Sequence, residues 1–253
     1  MYGYRGHTVM RRSVLMRKII CSDYNGACLA AADIFKKQLA QKPGSVFGLA
    51  TGGTPIALYQ ELARQSDAGE IDFSKAKAFN LDEYYPIKQS HKQSYKAYMD
   101  LHLFSKVRFA HSDIPNGEAA DPAAECARYD AAIDAAGGID LQLLGIGVNG
   151  HIGFNEPAYA YTLGTHLTKL SASTLTANSR FFAKDEPQPK KALTMGIDTI
   201  FRAKNILLLI TGAAKAETAK KIFAGKLFTR NPASFLLLHP NVTVILDEAA
   251  NGK

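Results

Sequence analysis

Short apolar runs that end in glycine-rich or acidic loops recur along this chain, and they constrain its fold more than any other feature. SVFGLA (45–50) runs into TGGTP and then IALYQELARQ, and KAFNL (77–81) runs into DEYY. LQLLGI (141–146) leads to GVNGHIGFNEP, NILLLI (205–210) to TGAAKAETAKKIF, and VTVIL (242–246) ends at DEAA. Strand-length runs that alternate with helix-length segments predict an α/β fold with a largely parallel sheet. At 253 residues and 47% hydrophobic composition, the chain can bury a sizeable core.

Two further helices are readable. Residues 25–41 place apolar side chains at helical spacing, and residues 121–138 offer Asp121 as N-cap, Pro122 at the first helical position and glycines at the end. The stretch 165–190 is polar, rich in serine and threonine and without a clear period, so it is expected to be a covering lid or a long surface connection. Residues 1–15 are basic, lack the apolar centre of a secretory signal, and are expected to be an extension preceding the domain that starts at Met16. The expected architecture is therefore a single Rossmann-like α/β domain over 16–253, mostly parallel in its sheet, flanked by helices and carrying a polar lid.

The net charge of +7 is spread along the chain without a lysine or arginine block or interleaved aromatics. An anionic small substrate accounts for it as well as nucleic acid would, and no nucleic-acid partner is expected. Cys21, Cys28 and Cys126 are odd in number and lack CxxC spacing, which fits a reducing cytoplasm rather than a disulfide scaffold or zinc site. No apolar stretch approaches the ~20 residues of a membrane-spanning helix, so no membrane association is expected.

In open parallel sheets, ligands sit at the carboxyl ends of the strands, where TGG, LDE, GVNGHIGFNE and TGAAK all fall. TGGTP, with Thr54 as cap and Pro55 in the first turn, would expose backbone N–H groups at a helix N-terminus, as a phosphate requires. Alone it is equally compatible with an ordinary tight turn. Lys215 opens the helix after TGAAK, where a bound anion would offset its unfavourable position against the helix dipole. Arg180 could add a bidentate partner, although in isolation it reads as a surface residue. Asp82, at a strand end beside Glu83, is a candidate general base, and in isolation reads as a turn acid.

The spacing Gly145-x-Gly147-x-x-Gly150 matches a dinucleotide-binding loop. That reading requires a helix at the third glycine and an acidic residue about 20 positions later. Here HIGFNEP follows, and no Asp or Glu lies between Glu156 and Asp185. The loop instead presents His151, a proton-transfer residue, and Glu156, a possible orienting carboxylate.

Together LATGGTP, FNLDEYYP, SYKAYM, GIGVNGHIGFNEP, ANSRFF, TGAAKA and SFLLLHPNVTVILDE, in that order, resemble the glucosamine-6-phosphate deaminase (glucosamine-6-phosphate isomerase) family over about 16–250. The resemblance implies conversion of D-glucosamine 6-phosphate and water to D-fructose 6-phosphate and ammonium, without a metal or organic cofactor. It implies Asp82 as the base between C2 and C1, and His151 as the ring-opening group held or tuned by Glu156. Thr51, Gly52, Gly53, Thr54, Arg180 and Lys215 would bind the phosphate. Related 6-phosphogluconolactonases share the fold and the glycine-histidine motif, but typically lack the FNEP continuation.

Two departures stand out. Some members carry Asp where this chain has Asn149, so a carboxylate relay through that position is replaced here by Glu156 as the acidic partner of His151. Allosterically regulated members use an Arg and a Lys after the NEP motif, where this chain has His166 and Thr168 and a shorter tail. Little activation by N-acetylglucosamine 6-phosphate is therefore expected. A galactosamine-6-phosphate deaminase, a lactone hydrolase and a non-catalytic phosphosugar sensor are the alternative functions. A monomer and a homo-oligomer are both compatible with the sequence.

Overall fold

The apolar runs are strands because a parallel sheet covered by helices buries both of its faces, leaving continuous Val, Ile and Leu rather than alternation. The computed structural model describes residues 16–179, 182 and 187–253; the expected extension 1–15 lies outside the described residues. In chain order the first half contains β1 (Arg17–Cys21), α1 (Tyr24–Gln41), β2 (Val46–Leu49), α2 (Ile56–Asp67), β3 (Lys77–Asn80) and β4 (Asp82–Tyr85). There follow α3 (Tyr95–Met99), which continues into one π-helical turn at Asp100–Phe104, then β5 (His111–Asp113), α4 (Pro122–Ala135) and β6 (Leu141–Leu144). The second half adds β7 (His166–Lys169), α5 (Ala172–Asn178), β8 (Lys191–Thr194), α6 (Ile197–Phe201), β9 (Asn205–Ile210), α7 (Ala216–Ile222) and β10 (Val242–Asp247).

Seven strands form the main sheet in the order β1-β10-β9-β6-β2-β3-β5, and every pairing in it is parallel. From β2 the chain builds outward through β3 to β5, then returns to the other side of β2 and builds through β6, β9 and β10. The order therefore reverses between β2 and β6, which opens a crevice at their carboxyl ends. Val46, Phe47, Leu49, Leu143, Leu144 and Ile206–Ile210 are buried in the core that this sheet shares with its helices.

The helix boundaries follow local chemistry. Asp121 caps α4 by accepting from the Ala123 and Ala124 N–H groups, with Pro122 at the first position as the sequence requires. Thr54 does not cap α2 as expected: the helix starts at Ile56, Pro55 occupies the cap position, and no side chain caps it. The Thr54 hydroxyl is turned toward Lys215 instead.

A second, three-stranded antiparallel sheet in the order β4-β8-β7 was not expected. Its β7 and the helix α5 fall within the stretch 165–190 that shows no sequence period. Two-residue alternation is absent from HLTK because His166, Leu167 and Thr168 are all partly buried. Asp130 on α4 fastens the start of β7: its carboxylate accepts from the Thr165 N–H (2.8 Å) and hydroxyl and from the Thr199 hydroxyl of α6 (3.1 Å).

Replacing Asp130→Ala removes these three bonds and frees their donors, so a loss of roughly 2 kcal/mol is expected in urea unfolding. An unchanged midpoint would mean that β7 is not held in this way.

Candidate active site

A cavity of about 370 Å³ lies at the β2–β6 crevice and brings together residues from loops far apart in sequence. Thr51, Gly52, Gly53, Thr54 and Lys215 line one end, while Asp82, Asn149 and His151 line the other. Glu156 lies behind His151, in contact with it. Among the described residues, no group of three or more His, Cys, Asp or Glu could hold a metal ion. Arg180, the remaining expected phosphate ligand, lies outside the described residues.

The part of the cavity containing Lys215 combines a cation with free backbone donors. Tyr98 donates to the Gly52 carbonyl (2.6 Å) and Tyr24 to the Gly53 carbonyl (3.3 Å). The loop's carbonyls are thereby engaged from outside, while the Gly52, Gly53 and Thr54 N–H groups have no partner among the described residues. Lys215 reaches across from the strand β9 side and donates to Thr54 Oγ1 (2.9 Å). Burial pushes its ammonium pKa down, partly opposed by Asp247. Among the described residues it forms no ion pair within 4 Å, and it lies with the free N–H groups of the loop at the same part of the cavity. Asp247, at the end of β10, accepts from the Gly212 N–H and so fixes the TGAAK loop.

At the opposite end, Asp82 is 6% exposed and its carboxylate accepts no hydrogen bond among the described residues. Burial, reinforced by the charge of Glu83, pushes it up to about 8. Glu83 is more buried still, yet its two oxygens accept from the Tyr84, Tyr95 and Lys96 N–H groups. Burial raises Glu83 to about 7 while those three donors favour its ionised form. The two neighbouring acids thus differ in role: one is held by donors, and the other is left free facing the cavity.

Gly153 allows the loop to close over Asp82. Its φ of 55° belongs to the left-handed region, and a Cβ there would lie 2.9 Å from Thr194 Oγ1 and 3.6 Å from Asp82 Oδ2. Gly147 serves the histidine in the same way, since a Cβ would fall 2.2 Å from the His151 ring. The glycines of GIGVNGHIGFNEP therefore admit side chains to the backbone rather than a dinucleotide.

His151 Nδ1 lies 3.5 Å from Glu156 Oε2, a charge contact too long for a well-formed hydrogen bond. Glu156 Oε2 also accepts from Asn149 Nδ2 (2.7 Å), and Oε1 from the Ser171 hydroxyl (3.0 Å) and the Thr174 hydroxyl. Burial alone would raise this carboxyl, but His151, Thr174 and Asn149 outweigh it and hold Glu156 at about 2. Asn149 Oδ1 accepts from the His151 N–H (3.2 Å). Asn149 thus bridges the backbone of the histidine and the side chain of the glutamate.

Sequence reasoning missed Tyr95, Tyr98, Tyr24, Ser171, Thr174 and Asp247. The tyrosines lie in helices whose apolar positions they share with core residues, and the hydroxyls lie in the stretch without a period. A capping serine at 171, three residues before Thr174, is the one signal that was available there.

The family model described as glucosamine-6-phosphate isomerases/6-phosphogluconolactonase matches residues 25–245. A glucosamine-6-phosphate deaminase of Thermoanaerobacter pseudethanolicus is 47% identical over 237 residues, covering 93% of this chain and 94% of the relative. One of Lysinibacillus sphaericus is 49% identical over 232 residues, covering 91% and 98%. The solved structure of a monomeric glucosamine-6-phosphate deaminase superposes with a TM-score of 0.90 at 43% identity, covering 94% of this chain and 99% of that one. A 6-phosphogluconolactonase from Leishmania guyanensis gives a TM-score of 0.76 at 19% identity, a likeness of fold alone.

Because the folded state raises the Asp82 pKa above its unfolded value of about 3.9, ionisation favours unfolding as pH climbs from there to about 8. Asp82→Asn is therefore expected to melt with the wild type near pH 4 and above it by pH 8, by several kcal/mol. Parallel melting curves across that range would contradict the buried, unpaired state of this carboxyl.

Proposed function

The chain belongs to the family of glucosamine-6-phosphate isomerases and 6-phosphogluconolactonases, and we propose that it is a glucosamine-6-phosphate deaminase. It would convert D-glucosamine 6-phosphate and water to D-fructose 6-phosphate and ammonium. The observation that carries this reading is Asp82, a buried carboxyl without hydrogen-bond donors that shares a cavity with an anion-ready loop. Proton abstraction from carbon needs a base whose pKa lies near the working pH, and burial provides it.

The phosphate would be bound by the Thr51–Thr54 loop and Lys215, with Arg180 as a further ligand. Far from the reacting carbons, it orients the sugar rather than taking part in the chemistry. His151 would carry the anomeric proton to the ring oxygen, which opens the ring and exposes C1 as a carbonyl. Glu156, ionised across the neutral range, favours the imidazolium that forms on the way. Asp82 would then remove the C2 proton to give an enolamine and return a proton to C1. The resulting iminium at C2 is hydrolysed by water, releasing ammonium. The ammonium group of an arriving substrate favours the charged form of Asp82, so the substrate itself assists in producing the base.

The free thiols at Cys21, Cys28 and Cys126 fit an enzyme working in the cytoplasm. Among the described residues, no helix is long and apolar enough to cross a membrane.

Purified protein is expected to release ammonia from glucosamine 6-phosphate, and Asp82→Asn to lose at least ~100-fold in kcat. Binding without release would move the reading toward a sensor. Faster release from galactosamine 6-phosphate would instead assign the other epimer. His166 Nδ1 contacts its own loop at the Gly164 carbonyl (3.0 Å), and Thr168 is a neutral residue on β7. Neither supplies the cationic pair of regulated members, so the substrate curve is expected to keep its shape when N-acetylglucosamine 6-phosphate is added. A sigmoidal curve made hyperbolic by that ligand would contradict this.

A further inference from the structure

Glu83 is 1% exposed, faces no cation among the described residues, and is not needed for any step of the proposed chemistry. Lys96, whose N–H it accepts, sends its ammonium to Asp100 instead. What Glu83 does hold is the start of α3. A helix leaves its first N–H groups without intrahelical partners. Here Glu83 takes those of Tyr95 (2.8 Å) and Lys96 (3.0 Å), and Ser94 Oγ takes that of Ala97 (3.0 Å). A third bond, from the Tyr84 N–H (2.8 Å), fixes the same carboxylate to its own strand.

The consequences reach both ends of the cavity. Tyr95 lines it, with its ring parallel to that of Phe154 at 6.1 Å. One turn later, Tyr98 donates to the Gly52 carbonyl of the phosphate loop. Asp82, next to Glu83 in β4, is the candidate base. One carboxylate therefore sets α3 against the base strand, and α3 in turn sets the phosphate loop.

We propose that Glu83 is a positioning residue that fixes the base relative to the phosphate loop through α3 and, in its ionised form, places a negative charge beside Asp82. This rests on the reading of Asp82 as the base. The titratable groups that sense Asp82 from the packed elements are the phenols of Tyr59 on α2, Tyr84 on β4, Tyr95 on α3 and Tyr129 on α4. All four are raised by burial and stay neutral through the pH range of interest, which leaves Glu83 as the charge that acts on the base among the described residues.

The test uses full-length Glu83→Gln, Glu83→Asp and Tyr98→Phe. Ammonia release from glucosamine 6-phosphate is followed as kcat/KM against pH. Each Glu83 variant is also melted beside its Asp82→Asn counterpart from pH 4 to 9. Removing the charge is expected to move the acid limb of Glu83→Gln down by about one pH unit. The melting gap opened by Asp82→Asn is then expected to be smaller and to level off at lower pH. Glu83→Asp keeps the charge with a shorter reach, so its kcat should fall with the acid limb in place. Tyr98→Phe should raise KM without moving the limb. An acid limb and melting gap in Glu83→Gln that coincide with the wild type would overturn the proposal, as would an equal shift in Glu83→Asp. If Glu83→Gln does not fold, Glu83→Asp decides: a lower kcat with the limb in place supports the proposal, and a wild-type kcat overturns it. If the wild type releases no ammonia, the functional reading has failed, and the melting gaps still decide the role of Glu83.

Discussion

A carboxyl group buried without a donor is among the least favourable things a fold can contain, and this one places it where the main sheet gives way to the smaller one. Asp82 opens β4 directly after β3, so its position is fixed by two sheets at once: the parallel pairing of β3 with β2 and the antiparallel pairing of β4 with β8. Gly153 lets the loop that carries His151 close against it, and the buried phenols of Tyr59 and Tyr95 lie near enough to sense its charge. Such a group persists only when the surrounding structure determines it from several sides, which is the usual condition of strained functional sites.

The three acids of the site show how environment assigns roles to one chemical group. Asp82 has no donors and sits high, at about 8, while Glu156 accepts from Asn149, Ser171 and Thr174 beside His151 and sits low, at about 2. Glu83 is more buried than either by exposed surface, and its three backbone donors favour its ionised form and tie it to α3 and its own strand. Burial, hydrogen bonding and neighbouring charge thus set the three carboxyls apart. Asn149 fits the same scheme, because an amide can donate to Glu156 and accept from the His151 backbone at once, which a carboxylate could not.

Much of this was legible before any coordinates. The central strands β2, β3, β6, β9 and β10 announce themselves as uninterrupted apolar runs, because both faces of a covered parallel sheet are buried. Their loops fall at the carboxyl ends by the geometry of the fold. Strand β1 was hidden because it lies at the edge, where RKIIC alternates exposure and carries two basic residues. The smaller sheet was hidden because its strands are four residues long and partly polar. The tyrosine supports were hidden for a different reason: Tyr24, Tyr95 and Tyr98 act through their hydroxyls on loop carbonyls or through packing, and neither leaves a spacing in the sequence. Thr54 was misassigned because a cap and a lysine partner call for the same hydroxyl, and only the fold brings Lys215 within reach, 161 positions away.

The role proposed for Asp82 is to move a proton on and off carbon in the cavity that it lines. It is tested most directly by incubating the enzyme with fructose 6-phosphate and ammonium in D2O and following carbon-bound deuterium by NMR. The wild type is expected to incorporate deuterium at C1 of fructose 6-phosphate and C2 of the amino sugar, and Asp82→Asn to incorporate essentially none. Incorporation by Asp82→Asn at the wild-type rate would show that another group is the base.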